Sequence, residues 1–259
     1  DWERACAIEL ISADGKDDFQ ANAGLRIQGA GSRFRNIGKK SMRLAFRERY
    51  GDTRLEEPFF PDAGVASFDA ITLRGNYFDS WTVHAAGNGE TIGRLAALQF
   101  RDAFARRTHA DMGRHAIQDR WVHLYLNGVY WGIYNATERP DQEFAADYFG
   151  GTPEDYDILK QRPLGTANGS PPELVNGDLS AWNELITLVK SDTTDPAVYA
   201  QIEDVLQIDA FIDYIILNIW GGNADWPHNN WYGIRNKTSG AKWHFTEWDG
   251  ENFIFNLSE

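Results

Sequence analysis

Residues 120–138 read RWVHLYLNGVYWGIYNATE. Aliphatic and aromatic side chains alternate on both sides of Asn127-Gly128, the pair that favours a two-residue type I′ turn, so the stretch predicts an antiparallel hairpin. It halts at Glu138-Arg139-Pro140-Asp141, where proline cannot continue a strand. Towards the N-terminus, CAIELIS (6–12), the polar ADGKDDFQANAG (13–24) and LRIQGAGSRF (25–34) predict strand, turn and strand, with a glycine bend at Gly29 and Gly31. KKSMRLAFRERYG (39–51) sets Met42, Leu44 and Phe46 against Arg43, Ala45 and Arg47, the period of a half-buried strand, with Lys39 and Lys40 at its start. Alternation places Lys40 on the face of Met42 and Leu44. FDAITLRGN (68–76) predicts one more strand. RLAALQFRDAFARRT (94–108) spaces Ala96, Ala97, Phe100, Ala103 and Phe104 as a helical stripe, with Arg101 and Asp102 off it.

Towards the C-terminus helices take over. DQEFAADYFG (141–150) predicts a short helix and QRPLGTANGSPPELVNGD (161–178) a long loop. LSAWNELITLVKS (179–191) is helical, and DPAVYAQIEDVL (195–206) opens with Asp195 as N-cap and Pro196 at the first helical position. IDAFIDYIILNIWGG (208–222) repeats Ile208, Phe211, Ile212, Ile215, Ile216 and Ile219 as an apolar stripe and stops at Gly221-Gly222. NWYGIR (230–235) and KWHFTEW (242–248), joined by NKTSG, predict a second hairpin. That places Asp225, Asn230, Asp249 and Glu251 on loops at the ends of its strands.

Composition narrows the function classes. With 259 residues, 42% of them apolar, the chain can bury a sizeable core, and it holds no run of about eighteen apolar residues that would predict a transmembrane segment. A net charge of −13 argues against a nucleic-acid partner, which needs clustered Lys and Arg. The single cysteine, Cys6, excludes an internal disulfide and a cysteine zinc cluster, and the six histidines show no ligand spacing. The loaded motif so near residue 259 reads as part of a domain taken from a longer protein.

In order, the elements run strand, glycine turn, strand, lysine-bearing strand, helix, two strands, connector and helices, then Asp225-x4-Asn230, a hairpin and Trp248-Asp249-Gly250. A protein kinase has the same order. There a glycine-rich loop covers phosphates, a strand lysine meets them, a catalytic Asp lies five residues before a metal-binding Asn, and a later Asp binds Mg²⁺. The expected class is therefore α+β, a two-lobed, protein-kinase-like fold. Residues 1–141 would form the antiparallel β-rich lobe and 142–259 the more helical one, within a single domain.

The residues themselves resemble one family, the CotH (spore coat protein H) kinases, through LRIQGAGSR, KKSMRLAF, LYLNGVYWGIYNATERPD, EDYDILK, NADWPHNNWY and EWDGENF. These motifs span nearly the whole chain. The resemblance implies an atypical protein-kinase-like fold, ATP with Mg²⁺ or Mn²⁺, transfer to protein Ser or Thr, and an exported setting within a larger bacterial protein. Carried over by residue, Asp249 looks like the metal-binding aspartate, with Asn230 and Glu251 sharing the ion, and Asp225 like the second essential acid. Lys39 or Lys40 would meet the phosphates beside Gly29, Ser32 and Arg33, and Glu138 to Asp141 would receive the base and ribose. Two departures stand out: Glu251 replaces the aspartate of the family's usual Trp-Asp-x-Asp, and GAGSR replaces its Gly-Asn-Ser run. Asp102 is read either as half of a surface pair with Arg101 or as the lysine's partner. The competing readings are a nucleotide-binding pseudokinase and a secreted glycan or adhesion module with a structural metal site.

Overall fold

The structure is a computed structural model that describes residues 2–29, 31–33, 38–77, 79–81, 97–161, 171–238 and 241–254. It is α+β, with two antiparallel sheets and five helices among the described residues. The chain divides into two compact units, Asp1–Ala103 with Ile117–Arg139, and Phe104–Ala116 with Pro140–Glu259.

The first unit holds a six-stranded sheet. Its strands are β1 (Arg4–Leu10), β2 (Phe19–Ile27), β3 (Met42–Ala45), β4 (Ala70–Arg74), β5 (Asp119–Leu126) and β6 (Val129–Thr137), in the order β1-β2-β3-β4-β6-β5. The β5–β6 hairpin closes as expected: Leu126 pairs with Val129, and Asn127 and Gly128 have φ of 50° and 79°, the double left-handed turn of type I′. β2 begins at Phe19, so half of the stretch predicted as a turn is strand. Phe19–Gly24 pairs residue by residue with β1, and that pairing outweighs the polar composition. β3 begins only at Met42, which leaves Lys39 and Lys40 ahead of the ladder. The alternation therefore does not extend to them: Lys39 is the buried lysine and Lys40 is half-buried.

α1 (Arg101–Asp111) starts seven residues later than the helix predicted from Arg94, although residues 94–96 lie outside the described set. Asp79 fixes its start, accepting from the backbone N–H of Leu98 at 2.7 Å and of Arg101 at 3.0 Å and pairing with the Arg101 guanidinium. Neither Arg101 nor Asp102 is a surface residue. Both are buried, and Asp102 Oδ2 lies 3.0 Å from Arg74 Nε. These paired charges turn the helix so that Ala103, Ala105, Arg106 and His109 face inward, while Phe104 of the predicted stripe is 36% exposed.

The second unit holds α2 (Gln142–Phe149), β7 (Tyr156–Lys160), β8 (Glu173–Asn176), α3 (Ser180–Val189), α4 (Pro196–Val205), α5 (Ile208–Trp220), β9 (Trp231–Asn236) and β10 (His244–Glu247). Its sheet has the order β10-β9-β7-β8. β8 corrects the long loop predicted over 161–178: its four residues carry no pattern of their own and are held by pairing with β7. Asp195 caps α4 as expected, accepting from Ala197 N at 2.8 Å, with Pro196 at the first position. α5 buries Ala210, Tyr214, Leu217 and Asn218, and leaves Ile212, Ile216 and Ile219 of the predicted stripe largely exposed. A helix apolar nearly all round does not reveal its inward face by periodicity. Trp243, just before β10, centres a core cluster with Leu159, Leu185, Ile202 and Leu206.

His109 is buried against the ring of Tyr214, centroids 5.9 Å apart, and neither ring nitrogen has a hydrogen-bond partner among the described residues. Burial, helped by the nearby Arg114 charge and opposed by Asp213, lowers its pKa to about 4. In the unfolded chain an imidazole titrates near ~6.5, so between those values the unfolded state binds more protons. The contribution is whole above about pH 6.5 and is lost as pH falls towards 4, in all about 3 kcal/mol. Urea unfolding of the wild type from pH 7 to pH 4.5 should show this loss, and His109→Phe, which cannot protonate, should flatten the acid side of the profile.

Candidate functional site

β9 and β10 pair antiparallel with Trp231 opposite Glu247, so the segment entering β9 and the segment leaving β10 meet at one corner of the second sheet. Asn230 joins them. Its Nδ2 donates to Asp225 Oδ2 at 2.9 Å and to the Asp249 carbonyl at 3.1 Å. Both partners are acceptors, which fixes the amide's orientation and turns Oδ1 away from them. Asn230 and Asp249 both sit in the left-handed backbone region, with φ of 62° and 61°, a conformation that costs a non-glycine residue energy and concentrates at functional sites.

Asp225 is held on several sides. Asn229 Nδ2 donates to its Oδ1 at 2.9 Å, and His228 Nε2 lies 3.3 Å from the same oxygen. Its own N–H points to Asn223 Oδ1 at 3.4 Å. Asn223 Nδ2 donates to Asn218 Oδ1 at 2.8 Å, and Asn218 in turn donates to the Tyr214 carbonyl at 3.0 Å. Trp226 Nε1 donates to the Tyr214 hydroxyl at 2.9 Å. Tyr214 is fully buried, and burial, followed by the Glu247 carboxylate, pushes its phenol well above the ordinary value. The loop carrying Asp225 is thus tied to α5 through buried amides rather than by apolar packing alone. Glu251 follows in a short 3₁₀ turn, Gly250–Asn252, and is buried.

Sequence reading missed Asn218, Asn223, Asn229 and Glu247. A signal for Asn218 was present: it is the one amide inside the apolar run IILNIW. Glu247, wholly buried on β10, shares strand parity with Phe245, an inward position where a charge is unexpected.

The remaining predicted residues are placed as follows. In the first unit, Lys39 Nζ lies 4.8 Å from the ring centroid of Tyr134, whose hydroxyl donates to the Lys40 carbonyl at 3.0 Å. Burial pushes that phenol up to about 12. Gly29, with φ of 101°, turns the chain, and the Ser32 hydroxyl closes the turn on the Gln28 carbonyl at 2.6 Å. Arg33 is exposed. Glu138 accepts from Gln118 N at 2.8 Å. In the second unit, Asp141 caps α2 through Phe144 N. Both carboxylates therefore have structural partners.

By donor type Asn230, Asp249 and Glu251 each carry side-chain oxygens, the ligand atoms that a hard divalent cation takes, and magnesium needs few protein ligands. Among the described residues no group of three or more His, Cys, Asp or Glu side chains is placed to hold a metal ion.

Residues 25–257 match the family described as CotH kinase protein. The chain belongs to this family. No curated protein matches it. CotH membership brings a kinase-like function. No helix among the described residues is long and apolar enough to cross a membrane.

Proposed function

We propose that this CotH-family chain is an ATP-dependent phosphotransferase acting on protein Ser or Thr, with the loop pair 225–230 and 249–251 as its catalytic corner. The observation that carries the reading is the Asn230 amide bridging Asp225 and Asp249. Asp225 orients the acceptor hydroxyl and takes its proton late, which is why it needs the fixed geometry that Asn229, Asn230 and His228 supply. Asn230, Asp249 and Glu251 would hold Mg²⁺ or Mn²⁺, which supplies neutralisation of the triphosphate charge when bound. In the first unit, Lys39 or Lys40 and the Gly29, Ser32 and Arg33 turn are assigned to phosphates, and Glu138 and Asp141 to the nucleoside, on the family resemblance alone. Burial favours Lys39 of the two. We read the two compact units as the lobes of a kinase-like fold, and the exported setting likewise rests on the resemblance.

The test is to incubate the protein with ATP, Mg²⁺ or Mn²⁺ and a mixed protein acceptor such as casein, and to weigh the product. The expected adduct is one phosphoryl group, absent with Asp249→Ala. A nucleotide adduct would mean transfer of the AMP moiety instead, and no adduct with either metal would leave at most a nucleotide-binding pseudokinase.

A further inference from the structure

Away from the catalytic corner, the second unit contains a cavity of about 270 Å³ whose polar lining is unlike the rest of this acidic chain. Arg114, His115, His244 and Gln207 face it, with Phe144 and Phe149 as apolar walls, and the described residues that line it include no carboxylate. In a chain of net charge −13, the lining thus lacks the negative side chains that dominate elsewhere. The two imidazoles share one aromatic neighbour. His115 meets the Phe149 ring edge to face at 4.6 Å, and His244 stacks on it at 6.1 Å. Thr246, two residues along β10, donates its hydroxyl to the His115 carbonyl at 3.3 Å, which fixes the His115 segment against the strand.

The charge balance depends on pH. Arg114 is held by Asp213 of α5, with Nε and Nη2 at 2.7 and 2.5 Å from one carboxylate oxygen, so this ion pair contributes little net charge. The adjustable charges are the imidazoles. Around His244 the charged and titratable groups are His115 and Arg114 from the segment after α1, and Asp213 behind Arg114; α2 offers Phe144 and Phe149, and β9 offers Ile234. Burial, then His115 and Arg114, holds the His244 pKa below its ordinary value. An anion in the cavity reverses that balance, because it stabilises both imidazolium forms.

We propose that this cavity binds a small oxyanion carried on an apolar or aromatic stem, a carboxylate or a phosphate monoester, and takes up protons on His115 and His244 as it does so. The aromatic walls receive the stem and the imidazoles and Gln207 receive the oxygens. The proposal is independent of the phosphotransferase reading, since no residue of the catalytic corner lines the cavity.

The test is an NMR titration of the histidine ring signals. The probes are benzoate and phenyl phosphate as the two anion types, with benzyl alcohol as the neutral comparator. Benzoate stays ionised across the range, so linkage predicts affinity roughly three- to sixfold tighter near pH 6 than near pH 8 for an imidazole whose pKa rises by one unit on binding, tenfold being the limit well below the free pKa. The His115 and His244 signals should move towards their protonated positions. His115→Gln, an exposed substitution, should remove part of the pH dependence and His244→Asn another part; should either variant fail to fold, the wild-type ring signals still decide. Whichever anion binds better identifies carboxylate or phosphate as the preferred group. Benzyl alcohol binding as tightly as the anions, or anion binding that leaves both ring signals unmoved or shows no pH dependence, would overturn the proposal.

Discussion

Asp225→Asn is expected to slow phosphoryl transfer by about a hundred- to ten-thousandfold, the range for losing a positioned general base, while Mg²⁺-ATP binding stays within a few-fold of wild type. The change keeps the side chain's shape and removes its charge and one acceptor. In the wild type both carboxylate oxygens accept amide hydrogens, Oδ1 from Asn229 and Oδ2 from Asn230. An asparagine would place its own NH₂ against one of these donors, so a structural cost of about 1–3 kcal/mol accompanies the chemical one. Single-turnover kinetics beside a melting curve separates the two effects. A rate loss far larger than the stability loss supports the catalytic role. An unchanged rate in a folded variant would show that Asp225 is only a structural anchor of its loop.

Trp243→Ala should cost about 3–5 kcal/mol of stability, the largest packing effect expected of a single truncation here. The side chain is wholly buried among Leu159, Leu185, Ile202 and Leu206, and it meets the Trp182 ring at 5.8 Å, nearly edge to face. Its backbone exchanges hydrogen bonds with Val205 and Gln207 at 2.8 and 3.1 Å, so it also fastens the end of α4 to the start of α5. The indole Nε1 has no partner among the described residues. Trp243→Phe therefore forfeits volume but no hydrogen bond, and should cost less than half as much, about 1–2 kcal/mol. Urea denaturation followed by far-UV circular dichroism measures both. Equal losses for Ala and Phe would mean that indole polarity, rather than cavity volume, holds this cluster.

Local chemistry was legible where it acts locally. Asn127-Gly128 specified its turn, Asp195-Pro196 started α4, and Gly221-Gly222 ended α5 with Gly222 at a φ of 54°, each because one or two residues fix the backbone there. Inward faces were harder to read. Ile212, Ile216 and Ile219 carry the more regular stripe of α5, yet Tyr214 and Asn218 turn inward, where Trp226 and Asn223 of the loop bearing Asp225 hydrogen-bond to them. α1 was misread for a related reason: buried ion pairs through Asp79 and Arg74 outweigh its phenylalanines, and such partners are distant in sequence. β8 has four residues and no intrinsic signal, so only its partner strand defines it.

The spacing of Asp225, Asn230 and Asp249 was visible in the chain, and these three meet at one corner. The tethers that hold Asp225 were not, since a buried amide network leaves only scattered asparagines in a sequence. The family resemblance supplied roles that spacing alone does not.

The most direct measurement of the central claim is the melting temperature with ATP alone, with Mg²⁺ or Mn²⁺ alone, with both, and with both on Asp249→Ala. Ligand at about a hundred times its Kd adds roughly 2.7 kcal/mol, enough for a rise of about 5 °C or more. The account predicts a rise that needs nucleotide and metal together and vanishes in Asp249→Ala. A rise with ATP that ignores the metal and survives the substitution, or no rise at all, would contradict a metal–nucleotide site at residues 225–251.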